Sequence, residues 1–202
     1  MTSLEDCFNS TNEEVLDLSN WDISNVTTLK NCFYCAEKLE SLDVSNWNVS
    51  NVKDMSYCFC DCEKLCRLDL SHWNVSNVTN LRECFSGCLS LKYLDLILWD
   101  ISKVECMSSC FYGCKNLCDL DISRWNTSKV KYMSGCFNSC KKLRYLDLSH
   151  WNTSSVKDIN SCFNGCENLK SLDLSRWNIS NVKFMYCCFY GCKSLVYLDI
   201  EN

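Results

Sequence analysis

The sequence repeats itself every 26 residues, and seven copies follow one another without an insertion or a deletion. Tryptophan recurs at Trp21, Trp47, Trp73, Trp99, Trp125, Trp151 and Trp177. Leu-Asp recurs eight times, from Leu16-Asp17 to Leu198-Asp199, and Cys-Phe seven times, from Cys32-Phe33 to Cys188-Phe189. A constant period of this length predicts a solenoid, in which each repeat is one coil that buries its apolar side against its neighbours. Each column of the repeat then becomes a row of side chains along a rod. Function is expected on the exposed rows.

No linker interrupts the period: there is no Pro, and only five Gly occur in 202 residues. Residues 1–15 read as an N-terminal partial or capping segment and residues 16–202 as the solenoid. The formal charge of −5 argues against nucleic acid, which needs clustered cations. Residues 1–14 are polar and acidic, so no secretory signal is expected there. No apolar run approaches the roughly 20 residues of a membrane span.

One coil, Leu39 to Cys66, shows the local pattern. Leu42 and Val44 alternate around Asp43, the period of a short strand with Asp outward. Trp47-Asn48-Val49-Ser50-Asn51 is rich in residues that favour turns by bonding to nearby backbone. Met55, Cys58, Phe59, Cys62 and Leu65 then follow at spacings of three and four, which predicts a short helix. Each coil is therefore expected to hold one short parallel strand and one short helix.

The opening Leu39-x-x-Leu42-x-Val44-x-x-Trp47 resembles the leucine-rich-repeat pattern, with Trp where Asn or Cys usually stands. Cys84-Phe85-Ser86-Gly87-Cys88-Leu89-Ser90-Leu91 resembles half of a BspA-like leucine-rich repeat. The whole coil is similar to the 26-residue surface-protein repeat of bacteria and mycoplasmas, and the resemblance covers residues 16–200. It departs at one column, where Cys always precedes Phe and the family usually has Met. It implies a leucine-rich-repeat-like solenoid, a location at the cell surface or outside the cell, and adhesion or other protein binding. The many thiols expected to be free fit an intracellular setting instead.

Thirteen of the twenty cysteines fall in two columns, Cys32 to Cys188 and Cys62 to Cys192. Such regularity predicts buried thiols used as small hydrophobes. Disulfides between neighbouring coils are the first alternative, although parallel Cβ vectors give poor geometry. Metal binding by Cys106, Cys110, Cys114 and Cys118 along one helical face is the second, and no metal or cofactor is expected.

The sharpest exposed row is Asp43, Asp69, Asp95, Asp121, Asp147 and Asp173, continued by Asp17 and Asp199. Like charges on neighbouring strands repel, so each Asp is expected to accept bonds from the Ser two residues on. Calcium, which needs several oxygens around one point, is the alternative. Tyr93, Tyr145 and Tyr197 share another row, alternating with Arg67, Asp119 and Ser171. Tyr and Arg are frequent anchors at interfaces. Lys103, Lys129, Lys131, Lys157 and Lys183 cluster after the turn. His72 and His150 are the only histidines, three coils apart, and no catalytic set is expected.

The reading is thus a non-enzymatic repeat protein that presents a binding surface to a protein or glycan. The alternative is a structural rod. The last residues break off mid-coil without a polar cap, and a bare parallel edge invites pairing, so end-to-end self-association is the second expectation.

Overall fold

A computed structural model describes residues 1–200. The chain winds as a right-in-register solenoid whose coils sit directly above one another. Strand β1 (Val15–Asp17) pairs in parallel with β2 (Ser41–Asp43), and β3 (Ser171–Asp173) with β4 (Tyr197–Asp199). The register sets Leu16 against Leu42 and Asp17 against Asp43, each residue beside its repeat equivalent. Between the two pairs the same edge is held by single bridges, Ser41 to Arg67 and Tyr93 to Asp119, and by a bond from the Lys170 N–H to the Arg144 carbonyl.

The expected helix is absent: no helix occurs among the described residues. The stretch with helical spacing is instead a train of tight turns. Cys58, Cys60 and Cys62 donate their N–H to the carbonyls of Met55, Tyr57 and Phe59, three residues back. The alternate donors, Met55, Tyr57, Phe59 and Asp61, reach the next coil, to Asn80, Arg82, Cys84 and Ser86, at 2.7–3.0 Å. A helix would consume all these bonds internally and leave this side of the coils without backbone bonds to its neighbours. The cost falls on two columns four residues apart, where φ is positive. Tyr57 and Asp61 have φ of 57°, and Gly87, Gly113, Gly165 and Gly191 occupy the second column in other coils. Eleven non-glycine residues among those described adopt this conformation, each at about 1–2 kcal/mol, offset by the inter-coil bonds.

The apolar columns stack into a continuous core. Phe33, Phe59, Phe85, Phe111, Phe137 and Phe163 are fully buried, with successive ring centroids 5.5–5.7 Å apart and nearly parallel. Trp47 stacks on Trp73 at 6.1 Å and Trp125 on Trp151 at 6.2 Å. Every buried indole N–H is satisfied: Trp99 Nε1 donates to the carbonyl of Leu70 and Trp125 Nε1 to that of Leu96, both at 3.2 Å. Where Val gives way to Thr127 and Thr153, the hydroxyls donate to Asn152 and Asn178 of the next coil.

All twenty cysteines are free thiols. The column Cys62 to Cys192 packs and also donates. Its S–H groups point to the Phe carbonyls of the preceding coil, as from Cys88 to Phe59 at 3.1 Å and Cys140 to Phe111 at 3.1 Å. Desolvation raises the pKa of these thiols, that of Cys114 to about 12, so they stay protonated donors.

The N-terminal segment holds a further half-coil that the 26-residue register hides. Cys7-Phe8 lies 25 residues before Cys32-Phe33. Phe8 stacks on Phe33 at 5.3 Å, and Leu4, Asp6, Phe8 and Ser10 donate to Thr28, Lys30, Cys32 and Tyr34. The dipeptide itself was the available signal, obscured by the one-residue deletion.

Candidate interaction surface

The short strand and the turn after it position the exposed rows. Buried Leu42 and Val44 anchor the strand from within and force Asp43 outward. Each aspartate then folds on to its own turn. Asp43, Asp69, Asp121, Asp147 and Asp173 accept, on one oxygen, both the N–H and the hydroxyl of the Ser two residues on. The hydroxyl contacts are 2.6–2.7 Å. Asp95 differs, because Ile97 replaces Ser and offers only its N–H, at 3.3 Å. The Ser hydroxyl, and then its N–H, hold Asp69, Asp147 and Asp173 below the usual carboxylate range. The row therefore lies along one exposed face, each carboxylate satisfied locally.

Among the described residues no group of three or more Cys, His, Asp or Glu side chains converges as metal ligands would. Cys106, Cys110, Cys114 and Cys118 do not share a helical face, since that segment is not helical: Cys110 and Cys114 are buried, Cys106 is partly covered and Cys118 is exposed. His150 Nδ1 lies 3.0 Å from Ser149 Oγ, which is also the hydroxyl that meets Asp147. Ser149 thus sits between carboxylate and imidazole, an order unlike that of a nucleophile activated by a base. The Asn row after Trp caps turns: Asn48, Asn74, Asn126, Asn152 and Asn178 each accept the N–H of the Ser two residues on. In the lysine cluster, Lys131 pairs with Glu105 at 2.8 Å and Lys103 donates to Asn77 at 2.6 Å.

The tyrosine row is the most exposed aromatic feature of this face. Tyr93 and Tyr145 are 57% and 63% exposed, and the Tyr197 hydroxyl donates to Asp199 at 2.9 Å. The Asp95 carboxylate raises the pKa of Tyr93. Beside Tyr93 lies a shallow cleft of about 450 Å³ lined by Arg67, Lys92, Asp69 and Asp95. A second, of about 520 Å³, lies along the same edge, lined by Cys118, Lys142, Arg144 and Asn168. The column formed by Lys92, Cys118 and Arg144 was not singled out in the sequence, because its residue type changes from coil to coil. No helix among the described residues is long and apolar enough to cross a membrane.

Several solved structures resemble the chain, at low identity. A structure described as a TLR13–ssRNA13 complex is 20% identical with a TM-score of 0.41, covering 87% of this chain and 31% of that one. A leucine-rich repeat protein from Bacteroides ovatus is 18% identical with a TM-score of 0.31, covering 87% and 64%. The functional domain of InlJ from Listeria monocytogenes, described as including a cysteine ladder, is 18% identical with a TM-score of 0.26, covering 86% and 41%. The chain thus spans less than two thirds of each of these proteins. No curated protein matches the sequence. One family model matches over residues 2–120 and again over 107–201, nearly the whole chain. The chain belongs to that family, described as "Mycoplasma protein of unknown function, DUF285".

Proposed function

We propose that this chain is a non-enzymatic binding protein of the BspA-like kind, and that the strand-start edge with its tyrosine row receives a protein or glycan partner in an adhesion or interaction role. The observation that carries this reading is the exposure of Tyr93 and Tyr145 on an edge that also presents Arg67, Lys92, Lys142 and Arg144 at two shallow clefts, beside an aspartate row bonded to its own turns. Rigid aromatic side chains lose little entropy when an interface orders them. The aspartates flanking them, Asp43 to Asp173, are the polar rim of the same surface.

The test is binding to protein and glycan arrays. Tyr93→Ala and Tyr145→Ala are expected to lose signal, whereas Tyr112→Ala, on the turn side, is not. Equal signal from all three variants would remove the tyrosine row from the interaction. A rod that stacks coil on coil is the second reading, favoured by the parallel in-register pairing that sets each strand residue beside its repeat equivalent. Light scattering that shows open-ended growth would select it.

A further inference from the structure

The strand-start edge is nearly self-complementary in charge when its coil order is reversed. At the position before the tyrosine row the coils carry Glu14, Glu40, Cys66, Lys92, Cys118, Arg144 and Lys170 in order, every one exposed. Reversing coil order about Lys92 sets Glu14 against Lys170, Glu40 against Arg144 and Cys66 against Cys118. At the next position the same reversal sets Arg67 against Asp119, both exposed, and Tyr93 against itself. Within the chain these charges are almost unused. Glu40 approaches Lys64 at 3.4 Å, with both side chains half exposed, and none of the others has an ion pair among the described residues. The whole rod is polarised likewise: residues 1–100 hold 16 acidic and seven basic side chains, and residues 101–202 hold nine and 13.

A two-fold axis parallel to the strands reverses coil order and brings each column against itself, which is the isologous contact of a closed dimer. We propose that two copies of this chain associate side by side along this edge, coils running in opposite directions, with the axis through the coil of Tyr93. The inference rests on the reading of this edge as an interaction surface and names a second copy as its occupant. In this register three kinds of opposite-charge pair form, each twice. A slip of one coil in either direction leaves one kind only, Glu40 with Lys170 or Glu14 with Arg144. Charge complementarity thus selects the register and suppresses the alternatives. The two Tyr93 rings meet at the axis and supply the apolar centre. Lys92 is the one like-charged self-pair, and its long stem carries the ammonium outward to water. The aspartate row lies two residues further along each strand, about 6.6 Å away. Opposed aspartates repel, which keeps the contact on the strand-start side.

Light scattering of the full chain over micromolar concentrations tests this. The expected species has twice the 23.5 kDa mass and goes no further, and salt weakens it. Glu40→Lys and Arg144→Glu are each expected to weaken the dimer about tenfold or more, and the double swap to restore it. A bismaleimide crosslinker applied to mixed isotope-labelled and unlabelled chains should join Cys66 of one copy to Cys118 of the other. A monomer at every concentration, charge reversals without effect, or growth past the dimer would each overturn the proposal. A monomer whose array binding still depends on Tyr93 and Tyr145 would sink the dimer alone. A charge-swapped dimer with array binding indifferent to those tyrosines would sink the foreign partner alone.

Discussion

The thiol of Cys114 donates to the carbonyl of Phe85 in the preceding coil, across 3.0 Å. The same bond recurs from Cys62, Cys88, Cys140, Cys166 and Cys192, always to the residue 29 positions earlier. Sulfur here serves as core volume and as a weak donor that closes one backbone acceptor per coil. A disulfide could not do the second job. The column Cys62 to Cys192 is therefore a ladder of bonds between coils that needs the reduced state.

Thiol reactivity follows from that arrangement. Burial raises the pKa of the column cysteines, to about 12 for Cys114, and only the thiolate reacts. In native protein a thiol reagent should quickly modify only the exposed group, Cys7, Cys66, Cys118 and Cys187. In denaturant without reductant nearly all twenty should titrate. Recovery of half or fewer would show that the columns are crosslinked.

Trp99 packs against Phe85 at 6.1 Å and donates to Leu70. Trp99→Ala should destabilise the chain by about 3–5 kcal/mol through the cavity it leaves. Trp99→Phe keeps a ring but removes one of two donors to the Leu70 carbonyl, which still accepts the Trp73 N–H, and should cost less, about 0.5–1.5 kcal/mol. Urea denaturation measures both. A loss from the alanine variant well under about 1 kcal/mol would reject the buried placement.

Gly135 has φ of 61°, and an added Cβ would sit 3.1 Å from Ser109 Oγ. Gly135→Ala should therefore lower stability by about 1–2 kcal/mol. Ser161, with φ of 53°, occupies the same column. Ser161→Gly should be neutral or stabilising by up to about 1 kcal/mol, as relief of strain and lost chain stiffness oppose each other. Thermal melts of the pair check the turn train, because a helix in this segment would reverse both signs.

Acid should weaken the fold through the aspartate row. Asp69, Asp147 and Asp173 have depressed folded-state pKa values because each accepts two bonds from Ser. Their contribution is complete above the unfolded value of about 3.9 and is lost as pH falls through the lower folded values. Denaturation midpoints should be flat above about pH 5 and drop below about pH 4. The combined Asp69→Asn and Asp147→Asn variant should flatten that drop, and an unchanged profile would show that other carboxylates govern it.

Calcium should bind this row no more tightly than millimolar. One oxygen of Asp69, Asp121 and Asp147 is committed to Ser and one of Asp95 to the Ile97 N–H, and coil spacing presents the carboxylates in a line where calcium needs a cluster of oxygens. Isothermal titration at low salt is the measurement. A micromolar site abolished by Asp95→Asn or Asp121→Asn would overturn the local reading.

The sequence by itself determined the solenoid, its coil length and the inward columns, because a strict period leaves one way to bury Leu, Trp, Phe and Cys in every coil. It also contained the Asp43–Ser45 type of pairing, since both partners lie within two residues. Only the tertiary structure decided the conformation of the segment from Met55 to Cys62. Spacings of three and four describe a helix and a train of turns equally well. The choice rests on bonds from Tyr57 and Phe59 to Arg82 and Cys84 in the next coil, a partner 25 residues away that no local pattern reveals. The N-terminal half-coil was decided in the same way, because a one-residue deletion breaks the period while the stack of Phe8 on Phe33 restores it in space.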